Sequence, residues 1–183
     1  MTGVLTVTAV LGAWLGAATV AVSDGRRAFA LGLIVTGLSL AGLTLMAGSP
    51  TGAAALLAGG LVAGLLRLRD GPAGWGVMPP GSTPRIILSL VTLALGALVG
   101  ISLTSGPGAP GRVAVVAVCG LALSRLLTSG RPGVAATMAS VLALTLGIVE
   151  GPAAEAVGAA VAVVLSALST ARPALARPSG LDG

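Results

Sequence analysis

Long runs of Ala, Leu, Val and Gly alternate along the chain with short breaks rich in Gly, Ser, Pro and Arg. A helix needs about 20 mostly apolar residues to cross a bilayer core of about 30 Å, and seven runs approach that length: 4–22, 28–47, 51–66, 86–103, 113–127, 133–149 and 153–168. Most breaks are turn chemistry: Ser23-Asp24-Gly25-Arg26-Arg27, Gly48-Ser49-Pro50, Ser129-Gly130-Arg131-Pro132 and Glu150-Gly151-Pro152, with 106–111 built from Gly, Pro and Ala. Segment 67–85 alone is long enough to lie along a membrane surface, and its Trp75, Met78, Pro79 and Pro80 predict an interfacial stretch without regular structure. The pattern predicts an all-α, polytopic integral membrane protein of about seven transmembrane helices. It forms a single helical domain over 1–171, followed by a Pro- and Gly-rich flexible cytoplasmic tail over 172–183.

Charge orients this array, because short loops carrying Lys or Arg stay on the cytoplasmic side. Arg26 and Arg27 follow the first run, Arg67, Arg69 and Arg85 flank the long segment, Arg125 and Arg131 bracket the turn after the fifth, and Arg172 and Arg177 follow the seventh. Those nine fall on one side of a seven-span array, against Arg112 alone on the other, where Glu150 and Glu155 also lie. The N terminus is therefore expected outside and the C terminus inside, in the bacterial inner (cytoplasmic) membrane. The first run is read as a span and not as a secretory signal, since Met1-Thr2-Gly3 lacks the basic start such a signal needs.

Composition then excludes several classes. With no His and one Cys, the chain lacks the usual ligand sets for zinc, haem or iron-sulfur clusters, so no cofactor is assigned to it and any redox group belongs to a partner. Cys119 reads as a small buried residue of an apolar run. The net charge of +5 is no nucleic-acid signal, because the arginines are spread over separate breaks instead of forming a stripe with interleaved aromatics; they read as anchors on anionic lipid headgroups of the bilayer. No catalytic constellation is present, and no ionisable residue falls at the centre of a predicted span. Glu155, just inside the seventh, is explained by the N-terminal dipole of its own helix after Pro152, with a place on a proton path as the alternative.

Small residues carry more information. Gly12 and Gly16, Gly60 and Gly64, and Gly96 and Gly100 have the spacing that lets helix backbones approach closely in lipid. Adjacent glycines weaken a helix, so Gly59 and Gly60 predict an irregular third helix with a kink or π-bulge.

From Gly25 onward the order is a basic turn, an apolar helix ending in LSLAGLTLMAG, an immediate turn at Ser49-Pro50, and a Gly-interrupted helix. Over residues 5 to 68 this resembles the first three helices of the J-type membrane subunit of respiratory complex I and of its relatives in membrane-bound hydrogenases. The resemblance implies an outside N terminus and a π-bulge in the third helix linked to proton transfer. The chain departs from that family where it matters chemically: residues 53–64 carry neither the Glu nor the Tyr-x-Gly-Ala motif of the J-type third helix, and seven spans exceed the usual five. A seven-helix subunit of group-4 hydrogenases fits the count better. Residues 153–158, with Glu155, are similar to the last helix of the small K-type subunit.

Two functions follow from different classes. The first is a noncatalytic subunit of a larger redox-driven or ion-translocating complex, packed among other integral membrane subunits beside the charged path. The second is a self-contained small permease or channel, and a scaffold or assembly protein is not separable from the first by sequence.

Overall fold

The computed structural model describes residues 2–69, 73–76, 83–103, 109–128, 131–148 and 152–175. Glu150, Met78, Pro79, Pro80, Arg177 and the rest of the tail beyond 175 lie outside the described residues, and of Arg85, Gly100 and Arg172 only the helical backbone is described. The described chain is all-helical: α1 (Thr2–Val22), α2 (Arg26–Met46), α3 (Pro50–Arg69), α4 (Thr83–Leu103), α5 (Ala109–Thr128), α6 (Pro132–Gly147) and α7 (Pro152–Leu175). α7 thus continues through 172–175, which the sequence places in the tail.

Local chemistry sets the boundaries. Pro50, Pro132 and Pro152 each open a helix, where the missing N–H costs nothing and the fixed φ suits the first turn. Gly48, at φ +90°, ends α2; its N–H donates to Leu45 O and that of Ser49 to Thr44 O, both at 3.1 Å. This is the paired bonding of a Schellman cap, which needs a left-handed residue best supplied by Gly.

Four stretches are long and apolar enough to cross a membrane: Gly3–Val22, Arg26–Met46, Pro50–Arg69 and Ala109–Leu127. The apolar parts of the other three helices, Ile86–Leu98, Pro132–Gly147 and Ala153–Ser169, are shorter. The shortest helix, α6, with 16 residues, rises about 24 Å. Large apolar side chains such as Val4, Leu98 and Leu127 stand exposed around the outside, which suits hydrocarbon better than water.

The helices form two stacked layers, α1-α2-α3 and α5-α6-α7, with α1 against α5, α2 against α6 and α3 against α7. α4 stands outside, packed on α5 and α1, and Trp14 of α1 pins it by donating its indole N–H to Ser89 O at 3.2 Å. Sequence neighbours run antiparallel: Gly16 of α1 meets Thr36 of α2, Gly37 meets Gly60 of α3, and Gly158 of α7 meets Ala143 of α6. α3 and α7 run parallel, with Gly52 beside Glu155 and Gly59 beside Ala159. Leu33, Leu40, Leu56, Leu121, Met138 and Leu144 are the largest apolar side chains fully enclosed in the bundle.

Candidate functional site: polar links at the two ends of the bundle

Small residues close the middle of the bundle. A Cβ on Gly60 would stand 2.8 Å from Gly37 Cα and 3.2 Å from Leu33 O, and one on Gly59 would stand 2.7 Å from Ala159 Cβ. Both glycines are therefore spent on close approach to two different helices. α3 runs as unbroken α-helix through them, so the π-bulge that the sequence and the J-type resemblance predict at Gly59 and Gly60 is absent. The same use recurs elsewhere: a Cβ on Gly16 would stand 2.8 Å from Gly32 O, on Gly64 2.9 Å from Ala30 O, and on Gly96 2.9 Å from Ala117 Cβ, while Gly12 lies under Ser39.

Hydroxyls inside the bundle are bonded mainly to their own helices, as expected where no water competes. Thr137 donates to Gly133 O at 2.8 Å and Thr145 to Val141 O at 2.7 Å. Ser140 also links helices, reaching Ala162 O at 3.1 Å and Ser166 Oγ at 3.2 Å on α7. Cys119, expected buried, is half-buried on α5.

Charged residues gather at the ends. At the arginine-rich end, Asp24 in the α1–α2 turn pairs with buried Arg125 on α5 and, at 3.2 Å, with the largely exposed Arg131 before α6. The turn is held from outside by 73–76: Asp24 N–H donates to Gly76 O at 3.0 Å, and Gly25 packs on the Trp75 backbone so closely that no Cβ would fit. Arg67, in the last turn of α3, is buried beside the first turn of α6, its Nη1 4.0 Å from where a Cβ on Gly133 would lie.

At the opposite end stands Glu155. It is only 4% exposed. Its Oε2 accepts the Ser49 hydroxyl at 3.0 Å, and its carboxylate lies directly on Gly52 in the first turn of α3, where any side chain would overlap it. Glu155 thus sits at two helix N-termini, its own and that of α3, both of which favour negative charge. The sequence placed Glu155 on the first of these; nothing in a single chain pairs residue 155 with Ser49 and Gly52, which read only as a turn and a small residue. Asp24 was likewise legible as a turn residue but not as the counter-ion of Arg125.

Among the described residues, no group of three or more His, Cys, Asp or Glu is placed to hold a metal ion. No protein-family model, curated protein or solved structure matches the chain. The fold and its end clusters define a helical bundle of membrane type.

Proposed function

We propose that the chain is a noncatalytic integral membrane subunit of a larger redox-driven or ion-translocating complex, and that Glu155 is the point at which it touches the proton or ion path. All seven helices stand across the bacterial cytoplasmic membrane, N terminus outside and C terminus inside, with the Asp24 and Arg125 end at the cytoplasm, as the distribution of arginines favours.

The burial of Glu155 carries this reading. A carboxylate buried inside a membrane bundle is a candidate for an ion or proton pathway, and this one, in the first turn of α7, accepts the Ser49 hydroxyl. One carboxylate is one step of a relay, and α6 beside it carries no titratable residue between Pro132 and Gly147; further steps belong to neighbouring subunits. The resemblance of residues 5 to 68 to the J-type subunit gives the kind of assembly, respiratory complex I or a membrane-bound hydrogenase. The unbroken α3 separates this chain from the proton-linked bulge of that family, so Glu155 and not Gly59-Gly60 is the residue to test.

Purification of a tagged copy from its native membrane in mild detergent should bring down larger subunits in fixed stoichiometry. Glu155→Gln should keep that assembly and reduce ion translocation. Recovery of the chain alone, or full translocation in an assembled Glu155→Gln complex, would overturn the reading. A self-contained permease is the second reading. It is favoured by the two layers being joined by polar links at both ends, Asp24 with Arg125 and Ser49 with Glu155, as in a transporter whose halves separate at one end at a time.

A further inference from the structure

We infer that Arg27, Trp75 and the exposed leucines of α2 form a binding surface for an anionic phospholipid, with its phosphate on the Arg27 guanidinium, its glycerol region beside the Trp75 indole and an acyl chain along Leu31 and Leu38. Such a surface needs the bundle to lie in a bilayer, and is independent of Glu155 and of any partner subunit.

A strap and a helix start build it. Segment 73–76 crosses the α1–α2 turn, where Arg27 N–H donates to Gly74 O at 3.4 Å and Asp24 N–H donates to Gly76 O at 3.0 Å. Gly74 and Gly76 hold left-handed backbone, φ +99° and +53°, which glycine adopts without steric cost, so the strap folds tightly on either side of Trp75. The Trp75 backbone lies against Gly25, yet the residue is 49% exposed. An exposed indole beside guanidiniums, at the end of an apolar helix, is the arrangement of a membrane interface, where the ring sits at headgroup level.

Below Arg27, which is itself exposed, an apolar stripe runs down the outside of α2. Leu31, Leu38 and Leu45 lie 4, 11 and 18 residues beyond it, within about 40° of it around a helix of 3.6 residues per turn, and all three are exposed. Leu31 and Leu38 stand roughly 6 and 16 Å along the axis from Arg27, about the depth of one leaflet of a bilayer core of about 30 Å. A free phosphate or an acidic soluble protein would answer the charge but not the stripe beneath it; a lipid answers both.

Charge selects the headgroup. Segments 23–27, 67–85 and 125–131 carry seven arginines against Asp24 and Asp70. Asp24 is engaged by Arg125 and Arg131, while the Arg27 guanidinium forms no ion pair among the described residues. A guanidinium without a protein counter-ion at the membrane surface favours a headgroup of net negative charge over a zwitterionic one.

The test places the full-length chain, in a Trp14→Phe background so that Trp75 is the only tryptophan, in vesicles of phosphatidylcholine and phosphatidylglycerol with one or the other lipid brominated near the top of its acyl chains. Bromine quenches an indole it touches, so the ratio of quenching by the two lipids reports which is held beside Trp75. Phosphatidylglycerol should be favoured roughly five-fold, the scale of one arginine at an anionic surface, and Arg27→Gln should bring the ratio close to one. Arg131→Gln, which removes a charge that Asp24 occupies, and Arg69→Gln, on α3, should leave the ratio in place. Circular dichroism checks that each variant is folded. If Trp14→Phe is not, native mass spectrometry of the chain with both tryptophans, taken from the same lipid mixture, should show phosphatidylglycerol retained in preference and lost in Arg27→Gln. Quenching by neither lipid, as when Trp75 faces water or a protein, would overturn the inference. So would equal quenching by both, a preference that survives Arg27→Gln, or one that falls as far in Arg69→Gln or Arg131→Gln.

Discussion

Replacing Gly60 by Ala adds one methyl group where α3 meets α2, and the structure sets its cost. The new Cβ would lie 2.8 Å from Gly37 Cα, 3.2 Å from Leu33 O and 3.5 Å from Gly37 N. Carbon atoms in contact prefer about 3.5–4.0 Å, and the obstructing atoms are backbone, so no side chain can rotate away. The two helices must part by roughly 0.7–1.2 Å along a seam where Leu33 O faces Gly60 and Leu56 O faces Gly37. Overpacking of this kind costs about 1–3 kcal/mol, partly offset by about 0.5–1 kcal/mol from removing a glycine from a helix interior. Gly42 on α2 is the control, because the nearest atom to its added Cβ is Ala9 Cβ at 4.0 Å, an ordinary contact. Gly42→Ala should therefore keep the gain without the clash. Reversible unfolding in mixed detergent and SDS, followed by Trp14 fluorescence, should rank Gly42→Ala at or above wild type and Gly60→Ala about 1–2 kcal/mol below it. Equal stability of the two variants would refute the claim that Gly60 is there to bring backbones together.

Other substitutions probe the links. Asp24→Asn should destabilise the arginine-rich end by up to about 3–5 kcal/mol, the cost of breaking a buried pair, because Arg125 is 4% exposed. A double-mutant cycle with the exchanged pair Asp24→Arg and Arg125→Asp should recover part of that loss. Ser140→Ala should cost only about 0.6 kcal/mol and at most about 1.7, the range of interhelical hydrogen bonds in membranes, measured in the same unfolding assay. Gly52→Ala should disturb Glu155 more than the helix, since the new methyl falls on the carboxylate; stability in the same unfolding assay should fall although helix content by circular dichroism does not.

The helices were legible in the sequence because each is an apolar run closed by Pro, Gly or Arg, and one-dimensional patterns record such boundaries directly. Pro50, Pro132 and Pro152 mark starts, and Gly48 marks an end, in sequence and structure alike. The fate of Gly59 and Gly60 was not legible, because a glycine pair that weakens a free helix is stabilised once α2 and α7 press on its two sides, and those neighbours are chosen by tertiary packing. The same holds for Glu155: its place in a first turn could be read, but its burial depends on Ser49 and Gly52, over 100 residues earlier. Asp24 and Arg125 are similarly distant. Their pairing follows from the stacking of α1 on α5, which no local pattern encodes.

The proposed orientation, with helices standing alternately across a membrane and the Asp24, Arg67 and Arg125 end at the cytoplasm, is tested most directly by labelling single cysteines in intact cells. In a Cys119→Ala background, cysteines should replace exposed residues: Thr51 and Arg112 at the Glu155 end, and Arg27, Arg69 and Arg131 at the other. A membrane-impermeant maleimide should label Thr51→Cys and Arg112→Cys from outside, and Arg27→Cys, Arg69→Cys and Arg131→Cys only after permeabilisation. Labelling of Arg69→Cys or Arg131→Cys in intact cells, or protection of Thr51→Cys, would contradict the orientation and with it the placing of Glu155 near the outer face.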